Sequence, residues 1–104
     1  MITCMITYEI ESRKAAEFER FATGWFPIVQ RFGGTHHGVF MPSEGASDVA
    51  HVLLTFDSLA AYERFRDAFP HEPEAEELMT LSRDSGCIRR WDRTFLRPVL
   101  PAPL

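Results

Sequence analysis

Three things are scarce in this sequence of 104 residues, and each scarcity excludes a class of protein. Cysteine occurs only as Cys4 and Cys87, without a Cys-x-x-Cys pair, which excludes zinc ribbons and thioredoxin-like redox motifs. No apolar run approaches the roughly 20 residues that a membrane-spanning helix needs. Positive charge is in deficit, with 11 Lys and Arg against 15 Asp and Glu, so a nucleic-acid-binding surface is not expected. We therefore expect no nucleic-acid partner and no membrane partner.

What is present favours a single domain over residues 1–104 with an ordinary core. Hydrophobic residues make up 45% of the chain and aromatic residues 12%, which is too apolar for a disordered protein. The opening residues carry no basic segment before Glu9 and Glu11, so we expect no signal peptide and a cytoplasmic protein. Residues 97–104 hold three prolines and are predicted to form an irregular tail.

Two periodicities predict the element order β-α-β-β-α(α)-β. From Ile2 to Ile10, mainly apolar residues alternate with more polar ones, which is typical of a strand. Apolar residues at three- and four-residue steps between Lys14 and Phe32 predict an amphipathic helix that Pro27 kinks or splits. The other predicted elements are strands at 35–41, 49–56 and 88–96, a helix from Leu59 to about Phe69, and a helix from Pro73 to the glycine at 86.

This order is that of a ferredoxin-like split β-α-β unit, an α+β fold. The topology predicts an antiparallel sheet of order 4-1-3-2 with all helices on one face. The helices should cover the more aliphatic side of the strands, which leaves a face that is half apolar and half charged. Such a face would expose a large apolar patch in a monomer, so we expect two sheets to pack face to face in a homodimer, a dimeric α/β barrel.

The same topology places the two cysteines at opposite ends of neighbouring strands. Cys4 begins the first strand and Cys87 precedes the last, so antiparallel pairing separates them by roughly 23 Å at 3.3 Å per residue. A disulfide needs Cα atoms within about 7 Å of each other. The sequence therefore predicts two free thiols that act as small buried hydrophobes.

Candidate binding residues lie on the face that the helices leave open. If the first and last strands pair with Glu9 opposite Arg89, this face also receives Trp91, Arg93 and Phe95. Arg89 and Arg93 beside Trp91 could bind a carboxylate or an enolate. The alternative is that Glu9 and Arg89 form a cross-strand ion pair that supports the sheet and a dimer contact.

The histidines offer a second candidate group. His36 and His37 are neighbours on a predicted strand, so their side chains point to opposite faces and cannot bind one metal together. One of them could approach His51 across the hairpin, and the pattern does not decide which. With His51 and Glu9, that histidine could form an acid–base group or a metal site. A hydrogen-bonded histidine without a ligand is the simpler interpretation, and we expect neither a metal nor a cofactor.

Several segments together resemble bacterial NIPSNAP-domain proteins over nearly the whole chain. They are the opening strand with Tyr8, residues 14–18, the hairpin strands 38–40 and 50–56, the helix entry at 57–66 and the ending at 93–99. The resemblance implies membership of the dimeric α/β-barrel group, which includes cofactor-free monooxygenases, isomerases, haem enzymes and stress proteins. His51 is one residue out of step with the histidine that family members often carry, so any role of that histidine is not transferred.

These observations favour binding of a small organic molecule in a pocket of the dimeric α/β barrel, either between the helices and the sheet or inside the barrel. The candidate lining residues are Glu9, His51, Arg89, Trp91 and Arg93. A catalytic version would be a cofactor-free oxygenase or isomerase, with His51 or Glu9 as the base and an arginine holding an enolate. The alternative is a non-enzymatic interaction or structural protein whose polar face only forms the dimer.

Overall fold

The computed structural model describes all residues from 1 to 104, as one four-stranded sheet with helices on one side. The strands are β1 (Ile2–Ile10), β2 (Thr35–Phe40), β3 (Val49–Phe56) and β4 (Ile88–Leu96). The helices are α1 (Ala15–Thr23), α2 (Trp25–Arg31), α3 (Leu59–Ala68) and α4 (Pro73–Ser85), with short 3-10 turns at Ser12–Lys14 and Phe69–His71. All strand pairs are antiparallel in the order β2-β3-β1-β4, which confirms the predicted ferredoxin-like α+β topology.

The first predicted helix is split in two, and Pro27 explains where. Pro27 has no backbone N–H for the carbonyl of Thr23, and its ring crowds that carbonyl. The helix therefore ends at Thr23 and restarts at Trp25, so the break lies one turn before the proline. Gly24 occupies the break, where an added Cβ would overlap the side chain of Leu78 on α4. The glycine at the break between α1 and α2 thus also allows α4 to pack closely against these two helices.

The ends of the last two helices follow local chemistry. The hydroxyl of Ser58 accepts a hydrogen bond from the N–H of Ala61 at 3.1 Å, which caps α3. Pro73 lies in the first turn of α4, where its missing N–H costs nothing. Gly86 ends α4 with a φ of 66°, a left-handed conformation that glycine adopts without strain. The longest of these helices has 13 residues, and none is long and apolar enough to cross a bilayer.

The core lies between the helices and one face of the sheet. It is formed by the aliphatic side of β1 and β3, as predicted, together with aromatic side chains of the helices. Its fully buried members include Phe18, Ile28 and Val29 of the first two helices and Phe56 of β3. Aromatic rings continue this core without a gap from Tyr8 through Phe21, Trp25, Phe65 and Tyr62 to Phe95. Trp25 is therefore a core residue, in agreement with its helical spacing.

Both cysteines are free and buried, which confirms the prediction of two unpaired thiols. Cys4 belongs to β1 and Cys87 directly precedes β4, and each is no more than 1% exposed. Burial raises the pKa of the Cys4 thiol to about 11, against a smaller opposing effect of Tyr62 and Arg66. Cys4 therefore stays protonated near neutral pH and is a packing residue rather than a nucleophile.

The molecule is a flat, two-layered structure. Its principal extents are 37, 34 and 19 Å, and the shortest is the thickness of one helix layer on one sheet. No helix or strand forms a third layer over the second face of the sheet. The side chains of that face therefore form a broad surface that is available for a binding site.

Candidate functional site

The face of the sheet that the helices leave uncovered, called here the open face, collects polar side chains from all four strands. Alternation along β1 and β3 turns every second residue to this side, and the cross-strand pairing places Thr7 opposite His51 and Met5 opposite Leu53. The open face comprises Thr3, Met5, Thr7, Glu9, Thr35, His37, Phe40, Val49, His51, Leu53, Thr55, Arg90, Asp92, Thr94 and Leu96, and the ion pair with Glu9 brings Arg89 to its edge.

His51 is held near the middle of the open face by Thr7. The Thr7 hydroxyl lies 3.1 Å from Nδ1 of His51, on the neighbouring strand, and both side chains are half-buried. When Nδ1 donates its proton to this hydroxyl, Nε2 carries the free lone pair. Nε2 has no hydrogen-bond partner in the chain. The ring is thus oriented by one nitrogen and has the other available, which is the arrangement of a general base.

A second polar group on the open face joins His37 to two buried threonines. Nε2 of His37 lies 2.7 Å from the hydroxyl of Thr55, which lies 2.7 Å from the hydroxyl of Thr3. Thr55 and Thr3 are only 3% and 5% exposed. Three strands therefore contribute to one continuous hydrogen-bonded row, and every hydroxyl in it is paired. Such a row fixes the orientation of the His37 ring and can pass a proton between its members.

Charged residues occupy one end of the open face. Glu9 lies 3.9 Å from Nε of Arg89, and Arg90 lies 3.1 Å from the carboxylate of Asp92. Both ion pairs are largely exposed, so each contributes little to stability. Glu9, Arg90 and Asp92 also line a shallow cavity of about 370 Å³, together with Thr7 and Asp48. The end of the open face near Glu9 therefore offers a concave, mixed-charge surface to a polar molecule.

The predicted site residues do not all share this face. Glu9 pairs with Arg90 rather than with Arg89, because Arg89 is an extra residue at a β-bulge between the pairs Ile10–Ile88 and Glu9–Arg90. One extra residue reverses the side to which every following side chain points. The predicted grouping of Trp91 and Arg93 with Glu9 and His51 was therefore wrong.

Trp91 and Arg93 lie instead on the helix side of the sheet. They stand opposite Tyr8 and Ile6, whose side chains pack toward the core. Phe95, two residues further, packs its ring against Tyr62 of α3 at a centroid distance of 5.0 Å. Of the five predicted residues, the structure brings Glu9, His51 and Arg89 to the open face and separates the other two from them.

The question of which histidine shares a face with His51 is settled by the hairpin between β2 and β3. His36 stands opposite Leu54 and points toward the helices, whereas His37 bonds to Thr55 on the open face. The register shifts between His36 and Val39, next to Gly38, whose φ of 118° is accessible only to glycine. His37 therefore shares the open face with His51, and each has its own threonine partner. No group of three or more His, Cys, Asp or Glu side chains lies close enough to hold a metal ion.

His36 has the environment of a half-buried structural histidine. Its Nδ1 accepts a hydrogen bond from the N–H of Gly38 at 3.0 Å, and its ring meets that of Phe26 edge to face at 4.4 Å. Its Nε2 is enclosed and has no hydrogen-bond partner. Burial, with a smaller effect of the neighbouring His37, lowers the pKa of His36 to about 4. The ring is therefore neutral at physiological pH.

Sequence reasoning missed the threonines and Arg90 as members of the site. Thr3, Thr7 and Thr55 carry no motif that marks them as partners of histidines. The signal was available in the pairing: Thr3 stands opposite Thr55 and Thr7 opposite His51, and threonines on neighbouring strands commonly bond across a sheet. Arg90 was missed because it stands opposite Glu9 only as a result of the bulge, and no residue pattern indicates that bulge.

The chain is similar to known proteins in sequence and in structure. The family model NIPSNAP matches residues 3–103. No curated protein matches the chain. An uncharacterized NIPSNAP domain protein from Burkholderia xenovorans has a similar structure, with a TM-score of 0.78 at 18% identity, over 99% of each chain. A NIPSNAP family protein of unknown function from Agrobacterium tumefaciens gives a TM-score of 0.81 at 18% identity, over 100% of this chain and 93% of that one.

A more distant structure has the same fold. A candidate antibiotic biosynthesis monooxygenase from Nitrosomonas europaea gives a TM-score of 0.72 at 7% identity, over 96% of this chain and 100% of that one. Identities this low show a shared fold alone, because folds of this kind host many unrelated functions. The family model, in contrast, covers almost every residue. The chain therefore belongs to the NIPSNAP family.

Proposed function

We propose that this NIPSNAP chain is a homodimer in which two open faces pack against each other and enclose a pocket for a small organic molecule. The observation that carries the proposal is the composition of the open face, where Met5 and Leu53 lie among oriented, hydrogen-bonded polar groups. Apolar side chains favour burial by a second copy. Prearranged polar groups favour an enclosed ligand rather than a dry interface.

The size of the sheet supports a stable dimer. A stable protein–protein interface buries about 800 Å² on each partner. The broad face of the molecule, about 37 by 34 Å, is large enough for such a contact. A two-fold axis through the open face would bring two copies of His51 and of the Glu9 end into one enclosed space.

The chemistry that this pocket could perform follows from His51. With Nδ1 oriented by Thr7, Nε2 can accept a proton from a carbon or hydroxyl next to a carbonyl group. The guanidinium groups of Arg89 and Arg90 at the same face can stabilise the resulting enolate oxygen. This combination supports a cofactor-free isomerase or oxygenase, and Arg90 takes the place that the sequence had assigned to Arg93.

A specific observation favours a second candidate function. Arg89 and Arg90 already have carboxylate partners in Glu9 and Asp92. Cationic groups that are neutralised in the free chain have less attraction for an anionic intermediate. The second candidate is therefore a non-enzymatic dimeric protein in which the polar groups only orient two copies.

Native mass spectrometry tests the dimer. The wild type is expected at twice the mass of one chain, and L53D is expected at the mass of one chain because it buries a carboxylate in the interface. L59D is the matched control, since Leu59 is 49% exposed on the helix side. It should remain a dimer. A wild type that is monomeric at micromolar concentration, or an L59D variant that dissociates as L53D does, would refute the dimer.

The same measurement separates the two functions. A pocket that retains a small organic molecule adds mass to the dimer, and H51Q should remain dimeric but lose that mass. If the wild-type dimer carries no ligand and H51Q weakens the dimer itself, His51 is an interface residue and the second candidate is correct.

A further inference from the structure

A second polar surface lies on the other side of the sheet, along the edge strand β4. We define the Arg-aromatic strip as Trp91, Arg93 and Phe95 of β4 with Tyr62 and Arg66 of α3. Trp91 is 53% exposed and Phe95 is 42% exposed, although both point to the side where the helices lie. The helices pack mainly over β2 and β3, so the outer end of the helix layer leaves β4 uncovered. The strip therefore has solvent access that the rest of this side lacks.

Contacts between α3 and β4 give the strip a fixed shape. The rings of Tyr62 and Phe95 meet nearly perpendicularly, at 79° and a centroid distance of 5.0 Å. Nη1 of Arg66 lies 3.4 Å from the Tyr62 hydroxyl and can donate to it. Arg93 precedes Phe95 by two residues on the same side of the strand. A buried ring, Tyr62, thus joins an arginine of the helix to the aromatic residues of the strand.

The charge of the strip contrasts with that of the whole chain. The chain has a net charge of −4, and its ion pairs involve only the arginines at 31, 89 and 90. Arg66 and Arg93 have no carboxylate within ion-pair distance. Two uncompensated guanidinium groups beside two exposed aromatic rings complement a ligand that is both anionic and apolar.

We propose that the Arg-aromatic strip binds a small carboxylate with a flat apolar body, such as an aryl carboxylate. The apolar body lies along Trp91 and Phe95, and the carboxylate accepts hydrogen bonds from Arg93 or Arg66. This site is separate from the proposed pocket, because it lies on the opposite side of the sheet from His51 and uses none of the open-face residues. It therefore gives the chain a second ligand site that does not depend on the dimer.

The test is a titration of the full chain with 2-naphthoate, followed by amide and indole resonances in two-dimensional NMR. The neutral analogue 2-naphthalenemethanol has the same apolar body and serves as the control ligand. Saturable shifts are expected at the indole N–H of Trp91 and at Arg93 and Phe95, with the carboxylate binding at least about fivefold more tightly than the alcohol.

Variants then assign the binding to the strip. R93Q and R66Q should each weaken 2-naphthoate about fivefold and leave the alcohol unchanged, since each removes one charged donor. W91A should weaken both probes. R20Q is the matched control, because Arg20 is an exposed arginine of α1 without an ion pair, and it should bind as the wild type does.

Four results with the two probes would overturn the proposal. They are equal affinity for the two probes, an R20Q variant as weak as R93Q, shifts centred on His51 and Leu53, and an absence of saturable binding. Strip resonances that move on dilution without any probe would also overturn it, because a second copy of the chain would then occupy the strip. An intact spectrum of each variant shows that the fold is retained.

Discussion

The two faces of the sheet differ in how many polar side chains they carry and in how these side chains are hydrogen-bonded. The helix-covered side of the central strands is almost wholly apolar, and its main titratable members, Cys4 and Tyr8, have a raised pKa because burial disfavours their anions. The open face has more polar than apolar residues, and its buried polar residues are hydrogen-bonded. The covered side therefore stabilises the monomer by burying apolar side chains, whereas the open face holds polar side chains in fixed orientations.

Two adjacent histidines show the difference most clearly. His36 and His37 are neighbours on β2, and each takes the character of the side to which it points. His36, on the helix side, is neutral and leaves Nε2 without a partner. His37, on the open face, shares a hydrogen bond with Thr55. A shift of one residue along β2 therefore changes both the surroundings of a histidine and its hydrogen bonds.

The largest expected effect comes from a cavity on the covered side. F18A should lower the free energy of unfolding by about 3–5 kcal/mol, because Phe18 is fully buried and its neighbours can collapse only in part. F40A, its counterpart on the open face, should cost less than about 1 kcal/mol in the monomer, since Phe40 is 52% exposed. Urea denaturation followed by circular dichroism at low protein concentration measures both. Equal losses would remove the distinction between the faces.

The second effect is a dependence of stability on pH through His36. Burial lowers its pKa from 6.5 to about 4, so between these values the unfolded chain binds a proton that the folded chain does not. The free energy of unfolding therefore falls as the pH decreases from 6.5 to 4, by about 1–3 kcal/mol in total, because solvent screens part of the effect at a half-buried ring. Below pH 4 this contribution levels off, because both states are then protonated.

Comparison of variants isolates that contribution from the carboxylates that titrate in the same range. H36Q should lose the dependence between pH 6.5 and 4, whereas H71Q should keep it, because His71 is exposed in the turn before α4. The ring protons of His36 should titrate with a midpoint near 4 in NMR spectra. A midpoint near the ordinary value of 6.5 would show that the ring is accessible to water.

A smaller effect tests the hydrogen-bonded row on the open face. T55V has nearly the same shape as the wild type but leaves the hydroxyl of Thr3 and Nε2 of His37 without their partner. It should lower the free energy of unfolding by about 1–2 kcal/mol, the cost of unpaired buried polar groups. T80V on the exposed side of α4 is the control and should change it little. A T55V variant as stable as T80V would mean that water replaces the missing bonds.

The fold could be predicted almost entirely from local patterns. Alternation over residues 2–10 and 88–96 matches the bounds of β1 and β4, and the left-handed Gly86 ends α4 as expected. The helix break was predicted but misplaced, because a proline acts on the carbonyl four residues before it rather than on its own position. The ferredoxin-like order then followed from topology, since few arrangements of these elements are possible.

The candidate site could be predicted only in part, because it depends on register. The pairing of β1 with β3 brings Thr7 to His51 without irregularity, and the prediction for this half of the face was correct. The other strand pairs each contain a register shift, at Gly38 and at Arg89, and neither shift changes the alternation pattern of its strand. The sequence alone therefore could not predict on which face of the sheet His36, His37, Trp91 and Arg93 lie.

The bulge at Arg89 has a consequence for how such a surface changes during evolution. Deletion of this one codon would make the pairs Ile10–Ile88 and Glu9–Arg90 continuous, so Trp91, Arg93 and Phe95 would keep their side of the sheet. A relative that keeps the residue but pairs it regularly with Glu9 would instead exchange the two sides of β4, and Trp91, Arg93 and Phe95 would join Glu9 and His51. Loss of the bulge without loss of the residue would thus merge two separate surfaces into one, with no substitution at any residue of either.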